Sequence, residues 1–156
     1  MSAERTVSAT TTIAAGQAQV WTLVSNPARF AEWADRALEV SSADAELRLG
    51  SNYEERNRVM GPITGVPRWT VVEHEAPRRQ THRGEGIAMA AALDFFVELQ
   101  PVENATEVTL GLRYRPAFGA IGLLLDRLYF RRSLEQSFQR TAANLAELAR
   151  RELVSR

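Results

Sequence analysis

The sequence predicts an α+β domain: a curved antiparallel sheet of six or seven strands wrapped around one long C-terminal helix, with two short helices after the first strand. Three observations carry that expectation. Between Leu38 and Tyr114 apolar residues recur with a period of two, and no helix-period stretch intervenes. After Gly122 neither Pro nor Gly occurs, and Ile121, Leu125, Leu128, Phe138, Ala142, Leu145 and Leu148 fall at helical steps. Before the sheet region, one strand-like run is followed by two helix-period stretches divided at Pro27.

Arg5 to Ile13 is rich in Val, Thr and Ile, and Val7, Ala9, Thr11 and Ile13 alternate as on a strand. Val20, Trp21 and Val24 then define a helix over about 16–25, and Phe30 and Trp33 a second over about 27–35. Pro27 cannot continue the first helix but suits the first turn of the next. Further strands are expected at about 38–42, 51–60, 67–75, 79–86, 88–100 and 105–115. Turn signals separate them at Gly50-Ser51-Asn52, Gly61-Pro62, Ala76-Pro77, Gly84-Glu85-Gly86 and Glu103-Asn104-Ala105. Short strands with tight turns and no helices between them argue for an antiparallel meander.

Pro116 ends the last strand, and the closing helix runs from Gly119 to about Leu153. Such a helix is roughly 50 Å long, while a chain of this size is compact to a radius of gyration of roughly 15 Å. It must therefore lie across the sheet. A sheet of this many strands twists and curls, and one helix cannot fill its concave face. The architecture thus predicts an internal cavity between sheet, terminal helix and the two short helices.

Composition narrows the chemistry. The 156 residues make one domain, 1–156, with 45% hydrophobic and 24% charged residues, ordinary values for a globular chain. Lys+Arg and Asp+Glu are both 19, so bulk charge gives no support to a nucleic-acid partner or an anionic surface. Cys is absent, which removes disulfides, thiol nucleophiles and thiolate metal sites. Every basic residue is Arg and none is Lys, which removes Schiff-base chemistry and a phosphate-loop Lys. With two His, at 74 and 82, no metal or other cofactor is expected. The start shows no secretory pattern, and the longest apolar run, Ala117 to Leu125, is too short to span a bilayer. A cytoplasmic protein without an integral membrane segment is the expectation.

Several local patterns carry a resemblance. They are Val20-Trp21 through Asn26-Pro27 and Trp33; Tyr53-Glu54-Glu55-Arg56; Trp69-Thr70-Val71-Val72-Glu73 followed by Ala76-Pro77-Arg78-Arg79; Leu99-Gln100-Pro101-Val102 followed by Thr106-Glu107-Val108-Thr109; and Leu123 to Leu128 with Asn144-Leu145. With these the chain resembles the helix-grip superfamily (SRPBCC) that includes START domains, birch-pollen-type allergens and polyketide cyclase/dehydrase-like proteins. The subgroup it is most similar to is the broad bacterial polyketide-cyclase-like set. The resemblance covers nearly the whole chain and implies a cavity for an apolar small molecule, with catalysis in some members and carriage in others. It supplies no shared catalytic triad.

Strand parity points to candidate site residues. Tyr53, Glu55, Asn57 and Val59 share one face. If that face is concave, Glu55 and Asn57 point into the cavity, where burial raises a carboxyl toward a general-acid range. Alternatively Glu55 pairs with a rim Arg, or a bulge reverses the parity. His82 could move protons near neutrality for an aldol-type closure or dehydration; as a rim or surface His it would do neither. His74, between two glutamates near a turn, is expected to be solvated. Tyr114 shares a face with Val108, Leu110 and Leu112 and could orient a ligand carbonyl, or could simply be core. Arg131 could hold a ligand carboxylate or phenolate over the cavity mouth, or pair with Glu135 one turn on. Leu93, Phe95, Val97 and Leu99 with Leu110, Leu112, Leu128 and Phe138 are the expected apolar lining. The segments Gly61 to Pro67 and Phe118 to Leu125 could gate the cavity, or the latter could be a homodimer contact.

Three functions follow in order. The first is a binder or carrier of a hydrophobic or aromatic small molecule such as a polyketide, lipid or quinone. The second is a cofactor-independent cyclase, aromatase or dehydratase using His82 or Glu55 as proton shuttle and Tyr114 to polarise a carbonyl. The third is a protein-interaction module that uses the outer surface.

Overall fold

The computed structural model describes residues 4–42, 44–60, 62–86 and 90–154. Strand β1 (Arg5–Ile13) is followed by helix α1 (Gln17–Val24), a 3-10 turn (Pro27–Arg29) and the short helix α2 (Phe30–Trp33). Asn26 caps the turn by accepting from the Ala28 amide at 3.0 Å, and Pro27 stands in its first position. Then come β2 (Ala37–Ser42), β3 (Asn52–Met60), β4 (Ile63–Gly65), β5 (Arg68–Glu75), β6 (Arg79–Glu85), β7 (Ala90–Val102) and β8 (Ala105–Pro116). The chain closes with α3 (Gly119–Leu125), a π-helical turn (Asp126–Phe130), α4 (Arg131–Ala149) and a second π turn (Arg150–Val154).

The strands pair antiparallel in the order β1-β8-β7-β6-β5-β3-β2, and the sheet curls around α4 with α1 and α2 at its ends. This is the α+β arrangement the pattern predicts. The strand order is that of a meander whose first strand closes onto the last, because β1 pairs with β8 along its whole length, Arg5 opposite Tyr114 and Ile13 opposite Thr106. Gly111 permits that closure: a Cβ there would lie 2.2 Å from the Val7 carbonyl oxygen. Val20, Val24, Val108, Leu110, Leu145 and Ala149 are fully buried where α1 and α4 meet the sheet.

Two elements depart from expectation. The segment read as a gate contains β4, which folds back on β3 with Asn57 opposite Gly65; Gly61 itself lies outside the described residues. The first residues of the strand expected at 88 also lie outside them. The terminal helix is continuous in direction but not in period. A π turn carries one extra residue and shifts the phase of the apolar stripe. Leu128 is consequently 56% exposed, while Asp126 is 2% exposed and faces inward.

Candidate functional site

Between the concave face of the sheet, α2, α3 and α4 lies a cavity of about 350 Å³. Its walls are mainly rings and aliphatic chains: Phe30 and Trp33 from α2, Trp69 from β5, Leu93 and Phe95 from β7, Leu112 from β8 and Phe138 from α4. Phe95 and Phe138 stack across it with centroids 6.3 Å apart.

Strand β3 supplies the polar wall. The period of two puts Tyr53, Glu55 and Asn57 on one face, and the Glu55 amide donates to the Pro67 carbonyl at 3.1 Å, which ties this stretch to the start of β5. Asn57 Nδ2 donates to Glu55 Oε1 at 3.3 Å. Among the described residues no cation pairs with Glu55. Burial pushes its carboxyl up to about 7, and the Asn57 amide offsets only part of that. The Tyr53 hydroxyl is bonded to His82 Nδ1 at 2.7 Å, and burial, then the nearby Glu55 charge, pushes its ionisation far above the usual tyrosine range.

His82 does not reach the cavity. It is fully buried behind Tyr53, with Phe30 and Phe95 edge-on at ring centroid distances of 6.2 and 5.3 Å. Burial, aided by the charge of His74, lowers its pKa to about 3, so the ring is neutral at physiological pH. The expected proton shuttle is therefore a support for Tyr53. The rim placement fails because both faces of β6 are covered: Gln80, Thr81 and His82 are buried in succession. His74 is not solvated either: it is half-buried, its Nδ1 lies 2.8 Å from Gln80 Nε2, and its ring packs on Trp21.

Tyr114 lines the cavity, but its hydroxyl donates to Asp126. Burial and that bond push its ionisation up beyond the usual range. Arg5 Nε stands 3.8 Å from the other Asp126 oxygen. The phenol that was to orient a ligand carbonyl is thus committed within the fold. Arg131 is exposed on α4 and pairs with Glu135 at 3.4 Å, away from the cavity, and Leu128 points outward beside it. The π turn accounts for both. Val97 and Leu110, directly opposite each other on β7 and β8, are core residues and not lining. So is Leu99, whose carbonyl accepts from Gln17 at the start of α1. Of the residues selected from sequence, Tyr53, Glu55, Asn57, Leu93, Phe95, Leu112, Tyr114 and Phe138 come together around the cavity.

Sequence reasoning missed the polar edge after α2. Arg36 donates through Nε to Ser137 Oγ at 3.1 Å, through Nη1 to the Val59 carbonyl at 2.8 Å and through Nη2 to Ser133 Oγ at 2.7 Å. Asp35 accepts from Ser137 Oγ at 2.9 Å and from Arg140. It also missed Asp126, although an acid interrupting an apolar run was a visible signal. At the start of α3, Phe118 (φ 68°) and Gly119 (φ 57°) make a left-handed turn, and Phe118, Ile121, Leu124 and Tyr129 are exposed.

The family model described as polyketide cyclase / dehydrase and lipid transport matches residues 4–150. The chain belongs to that family. Among the curated proteins compared by sequence, none matches it. Solved structures share its fold. A START superfamily protein from Mycobacterium smegmatis superimposes with a TM-score of 0.70 at 14% identity, covering 92% of this chain and 98% of the other. A protein from Thermus thermophilus gives 0.72 at 17% identity, covering 92% and 95%. The major latex-like protein 151 of Panax ginseng gives 0.68 at 12% identity, covering 93% and 97%. This family member therefore has the START-like helix-grip fold. Among its described residues no helix is long and apolar enough to cross a membrane, and no group of three or more acidic or His side chains could hold a metal ion.

Proposed function

We propose that the protein binds a hydrophobic or aromatic small molecule in the internal cavity, as a carrier or binding protein. The observation that carries this reading is the cavity itself: about 350 Å³ walled by Phe30, Trp33, Trp69, Leu93, Phe95, Leu112 and Phe138. That volume lies within the range of small-molecule sites, and an apolar wall with a few polar groups is their usual character. Membership of a family that spans cyclases and lipid transport agrees with it. Native mass spectrometry of the freshly purified protein, followed by organic extraction, tests the reading. A bound apolar compound, or a thermal shift with added polyketide-like or fatty ligands, is the expected result. An empty protein that ignores such a panel contradicts it.

Glu55 favours a second reading, a cofactor-independent cyclase or dehydratase. Its carboxyl faces the cavity with a pKa of about 7, suited to taking a proton from a carbon next to a ligand carbonyl and returning one to the departing or newly formed oxygen. Turnover by Glu55→Gln at the wild-type rate on a true substrate would remove that role. His82 has no place in this mechanism.

A further inference from the structure

The hydrogen-bonding groups around the cavity divide into those the fold satisfies and those it leaves open. Tyr114 gives its proton to Asp126, and Tyr53 is tied to His82. The guanidinium of Arg36, which lines the cavity, has each of its nitrogens engaged by a hydroxyl or a backbone carbonyl. Glu55 and Asn57 differ. Asn57 spends its amide nitrogen on Glu55 Oε1, and its own Oδ1 is buried with no partner. Glu55 makes that one side-chain bond, and its carboxyl is reached from the cavity. Gly65 stands directly across from Asn57, and a Cβ there would press on Val59 Cγ2 at 3.3 Å and come 3.8 Å from Asn57 Oδ1.

One acceptor without a donor, Asn57 Oδ1, and a carboxyl with a single side-chain bond, two residues apart on one strand face, ask for a ligand that donates. The wall beside them offers the reverse. The indole N–H of Trp69 is also buried without a partner. Trp69 is the cross-strand partner of Tyr53 and stacks on it, one pleat repeat from Glu55. A group that both gives and accepts a hydrogen bond serves both sides, and a hydroxyl is the simplest such group.

We propose that the cavity recognises a hydroxyl-bearing apolar molecule, an alcohol or phenol, whose O–H donates to the Glu55–Asn57 pair. The inference rests on the reading of the cavity as a ligand site and adds the polar group that the ligand must carry. Above pH 7, where Glu55 is ionised, a ketone, ether or carboxylate of the same shape brings only acceptors to it and leaves Asn57 Oδ1 bare. Sites built to bond a ligand hydroxyl reject analogues that lack it, because their own polar groups are then stranded.

The test compares ligands of equal length: decanol, methyl nonyl ether, decanoate and decylamine. Binding is read by calorimetry and by the fluorescence of Trp33 and Trp69, which both line the cavity. Decanol is expected to bind at least about tenfold tighter than the isosteric ether, with decanoate weaker still. In Glu55→Leu, alcohol and ether should bind alike, and Asn57→Ala should narrow the preference in a second, independent variant. Equal affinity for alcohol and ether in the wild type overturns the inference while leaving the cavity as a ligand site. So does a preference for decanoate, or for decylamine, which would mark Glu55 as the partner of a cation. Failure of all four ligands to bind removes the cavity reading and this inference with it.

Discussion

Asp126 and Glu55, two of the three carboxylates that line the cavity among the described residues, are treated in opposite ways. Asp126, on the π turn between α3 and α4, accepts the Tyr114 hydroxyl proton bond and has Arg5 beside its other oxygen. Glu55, on β3, has one side-chain amide bond and, among the described residues, no cation. Burying an acid without partners is costly, and the fold bears that cost at Glu55. Asp126 fastens the terminal helix to the sheet, joining β1, β8 and the π turn through one side chain. Glu55 fastens nothing. The difference separates a structural acid from one held available for a ligand.

That comparison can be broken first at Asp126. Asp126→Ala strands the Tyr114 hydroxyl and Arg5 Nε, and should destabilise the protein by about 3 kcal/mol in urea denaturation. The value sits at the low end for a buried pair because Arg5 is one-third exposed. Glu55→Leu should cost nothing or stabilise. A large loss at Glu55 and none at Asp126 would reverse the assignment.

Glu55 can be separated from the rest by pH. Its folded pKa of about 7 lies above the ordinary 4.5, so the folded state holds the proton more tightly. The stability linked to that proton is fully present below pH 4.5 and is lost as pH rises through about 7. Glu55→Gln, which cannot ionise, should therefore exceed wild type by about 3 kcal/mol at pH 8 and match it at pH 4. His82 works in the other direction. Its folded pKa of about 3 lies below 6.5, so its contribution is present above pH 6.5 and is lost as pH falls toward 3. Wild type should show a shallow profile between pH 4.5 and 6.5, where the two oppose, and Glu55→Gln a steeper one rising with pH.

Smaller effects sharpen the boundary of the site. Tyr53→Phe leaves His82 Nδ1 bare in a ring-lined space and should lose about 1 to 2 kcal/mol. Arg131→Ala, which breaks only a half-exposed pair with Glu135, should stay within about 0.5 kcal/mol and leave ligand binding unchanged.

The fold was readable because it rests on periodicity. A period of two from β2 to β8 and a Pro- and Gly-free terminal segment define sheet and helix without reference to chemistry. The same rule placed Tyr53, Glu55 and Asn57, since β3 keeps its alternation from Tyr53 to Val59. It failed on β6 and in the terminal helix. On β6 it had nothing to choose between, because Gln80, Thr81 and His82 are all buried and alternation does not mark which face meets the cavity. The π turn rotated Leu128 and Arg131 outward and Asp126 inward. Such irregularities have no periodic signature, because they are set by which side chains must meet across the fold. Arg36 and Asp35 were hidden for another reason: their partners lie on α4, about a hundred residues away in sequence.

The central claim is that the cavity is a site for a ligand and not a packing gap. Native mass spectrometry of wild type and Leu112→Trp, each mixed with decanol and each checked for its fold by circular dichroism, tests it most directly. Leu112 lies on the cavity wall, and a Trp there fills the space without touching Glu55's own strand. The account predicts one equivalent of decanol on the wild type and none on the folded variant. Equal loading of the two proteins, or none on either, would contradict it.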